Sequence, residues 1–326
     1  MAKLTMVQAI NLALSQEMAK DERVIVMGQD IGVDGGVFRV TDGLIQRFGK
    51  DRVIDTPLAE AAILGSALGM AIAGLRPVAE MQFSGFSYLM IPQLEMNVSR
   101  FRTRSRGMFT APLVVRMPYG GGVRALEHHS ESKETYFAHT PGVKTVIPST
   151  PRTARALLLA AIRDPDPVIF MEPTRVYRAF REDVPDDEEV MELSKARIVR
   201  NGGDITVISW GAMLHETQKA TDKLISEKNY DIELIDLQTI APMDSETIIE
   251  SVSKTGRCVI IQEAPKTLGP ASEIIAQIND HALMSLEAPI RRVTTYDIPV
   301  PTFGREDMYN PSESLIRRAI EETLEF

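Results

Sequence analysis

Arg52-Val53-Ile54-Asp55-Thr56-Pro57-Leu58-Ala59-Glu60-Ala61-Ala62-Ile63-Leu64-Gly65 decides the fold class. Arg52 to Ile54 reads as a short buried strand, Thr56 and Pro57 interrupt it, and from Glu60 onward the chain is rich in small apolar residues suited to a helix. A further apolar run, Pro77 to Phe83, follows that helix, so the segment spells strand, helix, strand. The same alternation extends in both directions, with strands expected at Val24–Met27, Leu113–Met117, Thr145–Ile147 and Val168–Met171. Thr5 and Gln8 are spaced as a capping box ahead of an apolar stripe of Val7, Ile10, Leu14 and Met18. Ser149 or Thr150 caps another helix, with Pro151 in its first turn and a body reaching Ile162. Alternating strands and helices predict a parallel sheet covered on both faces.

Residues 181–192 interrupt the alternation with seven acids and Pro185 and no apolar period, the composition of a linker. A second series follows, with strands expected at Ile205–Ser209, Ile232–Leu237, Val259–Gln262 and Ile290–Thr294. Helices are expected near Leu214–Lys228, Asp244–Lys254, Pro270–His281 and Ser312–Thr323. The sequence is thus two α/β domains in series: residues 1–180, an acidic linker over 181–197, and residues 198–326. A length of 326 residues fits, at about 150 residues per domain.

Composition excludes several classes. With 44% hydrophobic and 25% charged residues the chain is that of a folded globular protein. The longest uncharged stretch, Ala61 to Leu75, falls short of the ~18 apolar residues of a membrane span and contains three glycines. The N-terminus lacks the apolar core of a signal peptide, and a single cysteine, Cys258, excludes an intrachain disulfide, so a cytoplasmic protein is expected. The net charge of −9 is concentrated in the linker and gives no general attraction to nucleic acid or an anionic membrane. Arg100, Arg102, Arg104 and Arg106, spread around a helix, read as a salt-bridging helix end.

Neither a P-loop nor a clean G-x-G-x-x-G stands after a strand. Gly35-Gly36, Gly120-Gly121-Gly122 and Gly202-Gly203 are loops at strand ends, where ligands sit in an open α/β sheet, but a tight turn is the readier explanation of each. His128 and His129 follow the triple glycine within Glu127-His128-His129-Ser130-Glu131. They read either as a surface pair or as acid-base groups on an active-site loop; a metal site would need further ligands at zinc-like spacing, and none lies nearby. Glu60, where strand passes to helix, is either a first-turn acid favoured by the helix dipole or a partly desolvated functional carboxyl.

Several ordered motifs together resemble one family. Asp55-Thr56-Pro57-Leu58-Ala59-Glu60, Gly36-Val37-Phe38-Arg39-Val40-Thr41, Glu80-Met81-Gln82-Phe83 and His129-Ser130-Glu131-Ser132 are similar to the β subunit of the thiamin-diphosphate-dependent decarboxylating component of 2-oxo acid dehydrogenase complexes. Glu172-Pro173, Lys254-Thr255-Gly256-Arg257, Glu263-Ala264-Pro265 and Leu286-Glu287-Ala288-Pro289-Ile290 extend the resemblance over nearly the whole chain. It implies a pyrimidine-binding transketolase-like domain followed by a transketolase-C-like domain. It also implies that Glu60 hydrogen-bonds the aminopyrimidine of thiamin diphosphate and promotes its imino tautomer. Phe86 would stack on that ring, and His129 would serve the incoming lipoyl group. A potassium site built mainly from carbonyls would map onto Leu113, Ala161, Ile162, Asp164 and Asp166.

The Gly-Asp-Gly motif that opens the magnesium-diphosphate site of thiamin enzymes is missing from the sequence. The resemblance therefore implies half a cofactor site, completed by an α subunit with the diphosphate and magnesium ligands in an α2β2 heterotetramer, and a lipoyl-bearing acyltransferase as acyl acceptor. Glu131 stands where many relatives carry glutamine, which changes the charge beside His129. Phe137-Ala138-His139-Thr140-Pro141-Gly142 and Tyr177-Arg178-Ala179 are closer to branched-chain than to pyruvate members. The expected activity is oxidative decarboxylation of branched-chain 2-oxo acids; a pyruvate dehydrogenase β subunit and a split transketolase-like carboligase are the alternatives, with a noncatalytic scaffold as a third.

Overall fold

The computed structural model describes residues 2–187 and 189–326; Met1 and Glu188, one of the linker acids, lie outside the described residues. The deciding segment forms a strand at Val53–Asp55, a helix at Glu60–Ile72 and a strand at Arg76–Glu80. These join a seven-stranded sheet whose order is Thr239–Ala241, Lys144–Val146, Val168–Pro173, Val114–Tyr119, Arg76–Glu80, Val24–Gly28 and Val53–Asp55. Every pairing in it is parallel except that of the edge strand Thr239–Ala241. Alternate residues serve opposite faces, as a pleated strand requires. Val114 and Phe170 pack in one core with Leu14 and Leu158, and Val115 and Ile169 in another with Ile63 and Leu64. Burial on both faces explains why these strands read as continuous apolar runs.

The second sheet has the order Arg291–Thr295, Cys258–Pro265, Ile205–Ser209, Ile232–Asp236 and Arg197–Arg200, with only the last strand antiparallel. The protein is therefore two α/β domains in series. They are welded by apolar packing: Tyr119 and Ile147 of the first domain share a core with Ile208, Trp210 and Leu237 of the second. Burying an indole removes roughly 150–250 Å2 from water, which stabilises the junction by about 4–6 kcal/mol at about 25 cal/mol per Å2.

Local signals place the helices. Thr5 and Gln8 close the capping box of helix Met6–Lys20, and Thr150, not Ser149, caps helix Pro151–Arg163. Three readings change. The run expected as a strand to Phe83 leaves the sheet after Glu80 and turns at Ser84–Met90 into a 3-10 helix, because Ser84, Gly85 and Ser87 favour turning over pairing. The segment read as a linker is anchored: Glu182–Val184 pairs antiparallel with Ala2–Leu4, and Arg152 binds Glu189 at 2.6 Å. Thr239–Ala241, within the span assigned to the second domain, crosses over to pair with Lys144–Val146, a three-residue strand too short to show any period. The arginine helix covers only Phe101–Arg104, and Arg102 pairs with Asp166 at 2.6 Å.

Candidate active site

In an open α/β sheet, ligands sit beyond the carboxyl ends of the strands where the strand order reverses. In the first sheet that point is Val24–Gly28, flanked by Val53–Asp55 on one side and Arg76–Glu80 on the other. Glu60 follows the first flanking strand and Phe86 the second, so topology directs both to one crevice. The strand–helix passage is pinned: Asp55 accepts the N–H groups of Gly32 and Val33 at 2.6 and 3.2 Å, and the Thr56 N–H donates to the Gly28 carbonyl at 2.9 Å. Glu60 is the first residue of its helix, where a carboxylate is favoured by the dipole. Yet its side chain is 5% exposed and Oε2 has no hydrogen-bond partner; Thr56 Oγ1 nearby in sequence is likewise buried and unpartnered. Unpaired buried oxygens are costly, and at a sheet switch point they mark a place where a ligand supplies the missing partner.

The structure brings Phe86 and His129 together. Their ring centroids are 5.2 Å apart, and Phe83 lies 4.3 Å from His129 and 5.7 Å from Phe86, all edge to face. The 3-10 helix carrying Phe86 packs against both the helix of Glu60 and the turn of His129. The histidine pair divides: His128 is exposed beside Glu127 at 3.2 Å, whereas His129 is half-buried with Nδ1 enclosed and unpartnered. Gly85 is obligatory here, since a Cβ would stand 2.1 Å from the His128 carbonyl. The charge of Glu131 is met by Lys133 at 3.3 Å and by the Tyr88 hydroxyl, which donates at 3.0 Å. Lys133 in turn lies over the rings of Tyr88 and Tyr136.

Behind this aromatic cluster Phe38 links Phe83 to Tyr177, at 5.5 and 5.1 Å. Tyr177 donates to Glu172, and Arg116 donates to Glu172 and Glu80, a wholly buried ion network inside the sheet. Burial pushes the Glu80 carboxyl up while Arg116 opposes it. Sequence reading quoted Glu80 and Glu172 without giving them work; the available signal was a charge inside an apolar strand, which needs a partner. It also missed Glu134, whose carboxyl burial pushes up to about 7 beside the Trp210 indole.

Leu113, Ala161, Ile162, Asp164 and Asp166 gather around the carboxyl end of helix Pro151–Arg163, away from that cluster in the chain. Arg76 donates to the carbonyls of Ile162 and Asp164 at 2.8 and 3.3 Å, the Leu113 carbonyl accepts from the Val168 N–H at 3.0 Å, and Lys144 binds the Asp164 carboxylate. Among the described residues no three or more His, Cys, Asp and Glu side chains are grouped as a metal site. Nor is any described helix long and apolar enough to cross a membrane.

Two family descriptions match the chain in order: "Transketolase, pyrimidine binding domain" over residues 2–179 and "Transketolase, C-terminal domain" over 194–315. A protein named pyruvate dehydrogenase E1 component subunit beta from Acholeplasma laidlawii is 50% identical over 316 residues, 97% of this chain and 96% of that one. Its namesake from Bacillus subtilis (strain 168) is 48% identical over the whole of both chains. This chain belongs to the E1 β-subunit family of 2-oxo acid dehydrogenases. The fold of an E1 β subunit is shared more widely: a solved structure titled "Split gene transketolase, inactive beta4 tetramer" superposes with a TM-score of 0.79 over 99% of both chains at 18% identity.

Proposed function

We propose that the chain is the β subunit of a pyruvate dehydrogenase that uses thiamin diphosphate, assembled with an α subunit as an α2β2 heterotetramer in the cytoplasm. The observation that carries this reading is the identity of 48–50%, end to end, with proteins named as pyruvate dehydrogenase β subunits. It replaces the branched-chain expectation. Phe137 and Tyr177, which open the two runs quoted for that expectation, are 1% and 2% exposed and serve the core and the Arg116 network.

The crevice fits the pyrimidine half of thiamin diphosphate. Glu60 offers an orphaned oxygen for a ring nitrogen, and Phe86 a half-buried aromatic face. When bound, the cofactor supplies the electron sink that lets carbon dioxide leave a 2-oxo acid. Glu60, 5% exposed with Oε2 unpartnered, would hold the aminopyrimidine and exchange a proton with it at that oxygen. His129, half-buried against Phe83 and Phe86 with Nδ1 unpartnered, would give or orient a proton as the lipoyl group of an acyltransferase takes the acyl group. The α subunit would bring the diphosphate and magnesium ligands. Val33, Val37, Leu58, Leu89 and Leu126, exposed on the loops and turns that carry or adjoin Glu60, Phe86 and His129, supply an apolar rim for it.

Turnover of pyruvate and of 3-methyl-2-oxobutanoate, followed with an artificial oxidant in the complex purified with its α subunit, tests the reading. Pyruvate is expected to have the higher kcat/KM, by ~10-fold or more, the scale on which a pocket discriminates added methyl groups. Preference for the branched acid overturns the substrate, and no turnover of either overturns the dehydrogenase.

The carbonyl group at Leu113, Ala161, Ile162, Asp164 and Asp166 is proposed to take potassium. Its all-oxygen donors suit a hard cation, and a carbonyl that already accepts one bond keeps a second lone pair. Arg76 and Lys144 bring positive charge to the same helix end and oppose it. Potassium chloride is expected to raise Tm over choline chloride at equal ionic strength, by mass action on the folded state; equal Tm values remove the cation.

A further inference from the structure

The loop that carries His129 is closed and gripped at its base. The Gly120 N–H donates to the Glu131 carbonyl at 3.1 Å, and the Ser84 hydroxyl donates to the same carbonyl at 2.7 Å, so residues 120–131 form a loop with a fixed stem. From the first domain, Thr174 Oγ1 lies 3.1, 2.9 and 3.0 Å from the carbonyls of Tyr119, Gly120 and Gly121. From the second domain, Glu263 on strand Cys258–Pro265 accepts the Gly121 N–H at 2.6 Å, and Glu306 accepts the Gly122 N–H. Both carboxyl groups are buried, at 4% and 1% exposure.

Backbone conformation requires glycine at positions 120 and 122. Gly120 and Gly122 have φ of +76° and +125°, and a Cβ on Gly120 or Gly121 would stand 2.7 or 2.8 Å from Glu263 or Glu306. Consecutive N–H groups aimed at an acceptor form a concave anion site, and here the chain's own second domain fills it. His129 has no hydrogen bond at Nδ1 to orient it, so the placement of its ring is inherited from the backbone and from the edges of Phe83 and Phe86.

We propose that Glu263 and Glu306 are positioning residues for His129, through which the second domain fixes the aim of the active-site loop. This rests on the role given to His129 above. The latch needs an acceptor at each glycine N–H, and an amide oxygen can take that place, although less strongly than a carboxylate. Glu306→Ala is therefore expected to break it and Glu306→Gln to keep it, with Glu263→Ala and Glu263→Gln as the matching pair. The outer Arg124–Asp307 pair, at 2.7 Å with both side chains more than half exposed, contributes little, so Asp307→Ala serves as the control on the same short helix.

The test compares two partial reactions in the α2β2 complex with pyruvate: acylation of a lipoyl domain, and oxidant-linked decarboxylation. Glu306→Ala is expected to slow acylation by ~10- to 100-fold, the cost of displacing a reacting group by about 1 Å, with decarboxylation close to that of the unaltered enzyme. Glu306→Gln should recover most of the loss and Asp307→Ala should show none. Equal losses in both reactions, or a Gln variant as impaired as the Ala variant, overturn the proposal, because a merely structural role lowers both together. Hydrogen exchange in the unaltered chain gives an answer that does not depend on any variant folding: protected amides at Gly121 and Gly122 are expected, and exchange at the rate of an open loop overturns the latch. If the unaltered complex turns over no 2-oxo acid, the proposed function fails by itself. The latch is then judged on whether Glu306→Ala speeds exchange across residues 120–131, and unchanged exchange overturns it.

Discussion

Glu60→Gln lowers exchange of the C2 proton of bound thiamin diphosphate by at least ~100-fold, the lower end of what a positioned proton-transfer group contributes, and leaves the assembly intact. The substitution keeps the shape and buried volume of the side chain and its place in the first turn of helix Glu60–Ile72. It removes the one property at issue, a proton that can be held and returned at Oε2. The folded chain is not expected to suffer, since Oε2 makes no hydrogen bond that the amide would lose, so Tm should stay within the range of ordinary neutral substitutions. Exchange followed by NMR after acid quench reads the effect before any 2-oxo acid is added, which separates it from substrate binding. Near-normal exchange in the variant would remove Glu60 from proton transfer and leave it a helix-capping charge.

His129→Ala is expected to reduce acylation of the lipoyl domain by ~100-fold, again the scale of lost acid-base help, while oxidant-linked decarboxylation falls much less. The reason is location. His129 is half-buried at the end of the 3-10 turn Glu127–His129, in edge-to-face contact with Phe83 and Phe86 and with one nitrogen enclosed, whereas Glu60 is 5% exposed behind a pinned turn. The less buried group meets the second substrate, and the more buried one serves the cofactor. Loss of the imidazole also removes two edge-to-face contacts of about 0.5–1.5 kcal/mol each, so the variant's Tm should be measured alongside. Equal losses in the two reactions would assign His129 to the cofactor step or to packing.

The two proposals at the same loop are separable. His129→Ala removes the group, while Glu306→Ala leaves it and misdirects it, so only the second should be repaired by restoring an acceptor with glutamine. Both depend on distances that no pattern in residues 120–131 announces.

The fold class and most of the elements were legible in the sequence. Apolar runs between capping signals are a local record of burial on both faces of a parallel sheet, and the strands at 24–28, 144–146, 168–173 and 205–209 lie where those runs stand. Thr5, Thr150 and Pro151 mark helix starts through contacts within four residues, so they too are legible one segment at a time. The motif around Glu60 could be recognised, but its chemistry could not: first-turn acids are common, and only the packed structure showed an oxygen buried without a partner. Tertiary structure alone decided the rest. It turned the chain after Glu80 to bring Phe86 under His129, paired Thr239–Ala241 with a sheet 93 residues away by register at Val146, and set Glu263 and Glu306 on the glycines of another domain. Each is a contact between residues far apart in sequence, where the free energy lies in burial and hydrogen bonding that the local pattern does not encode.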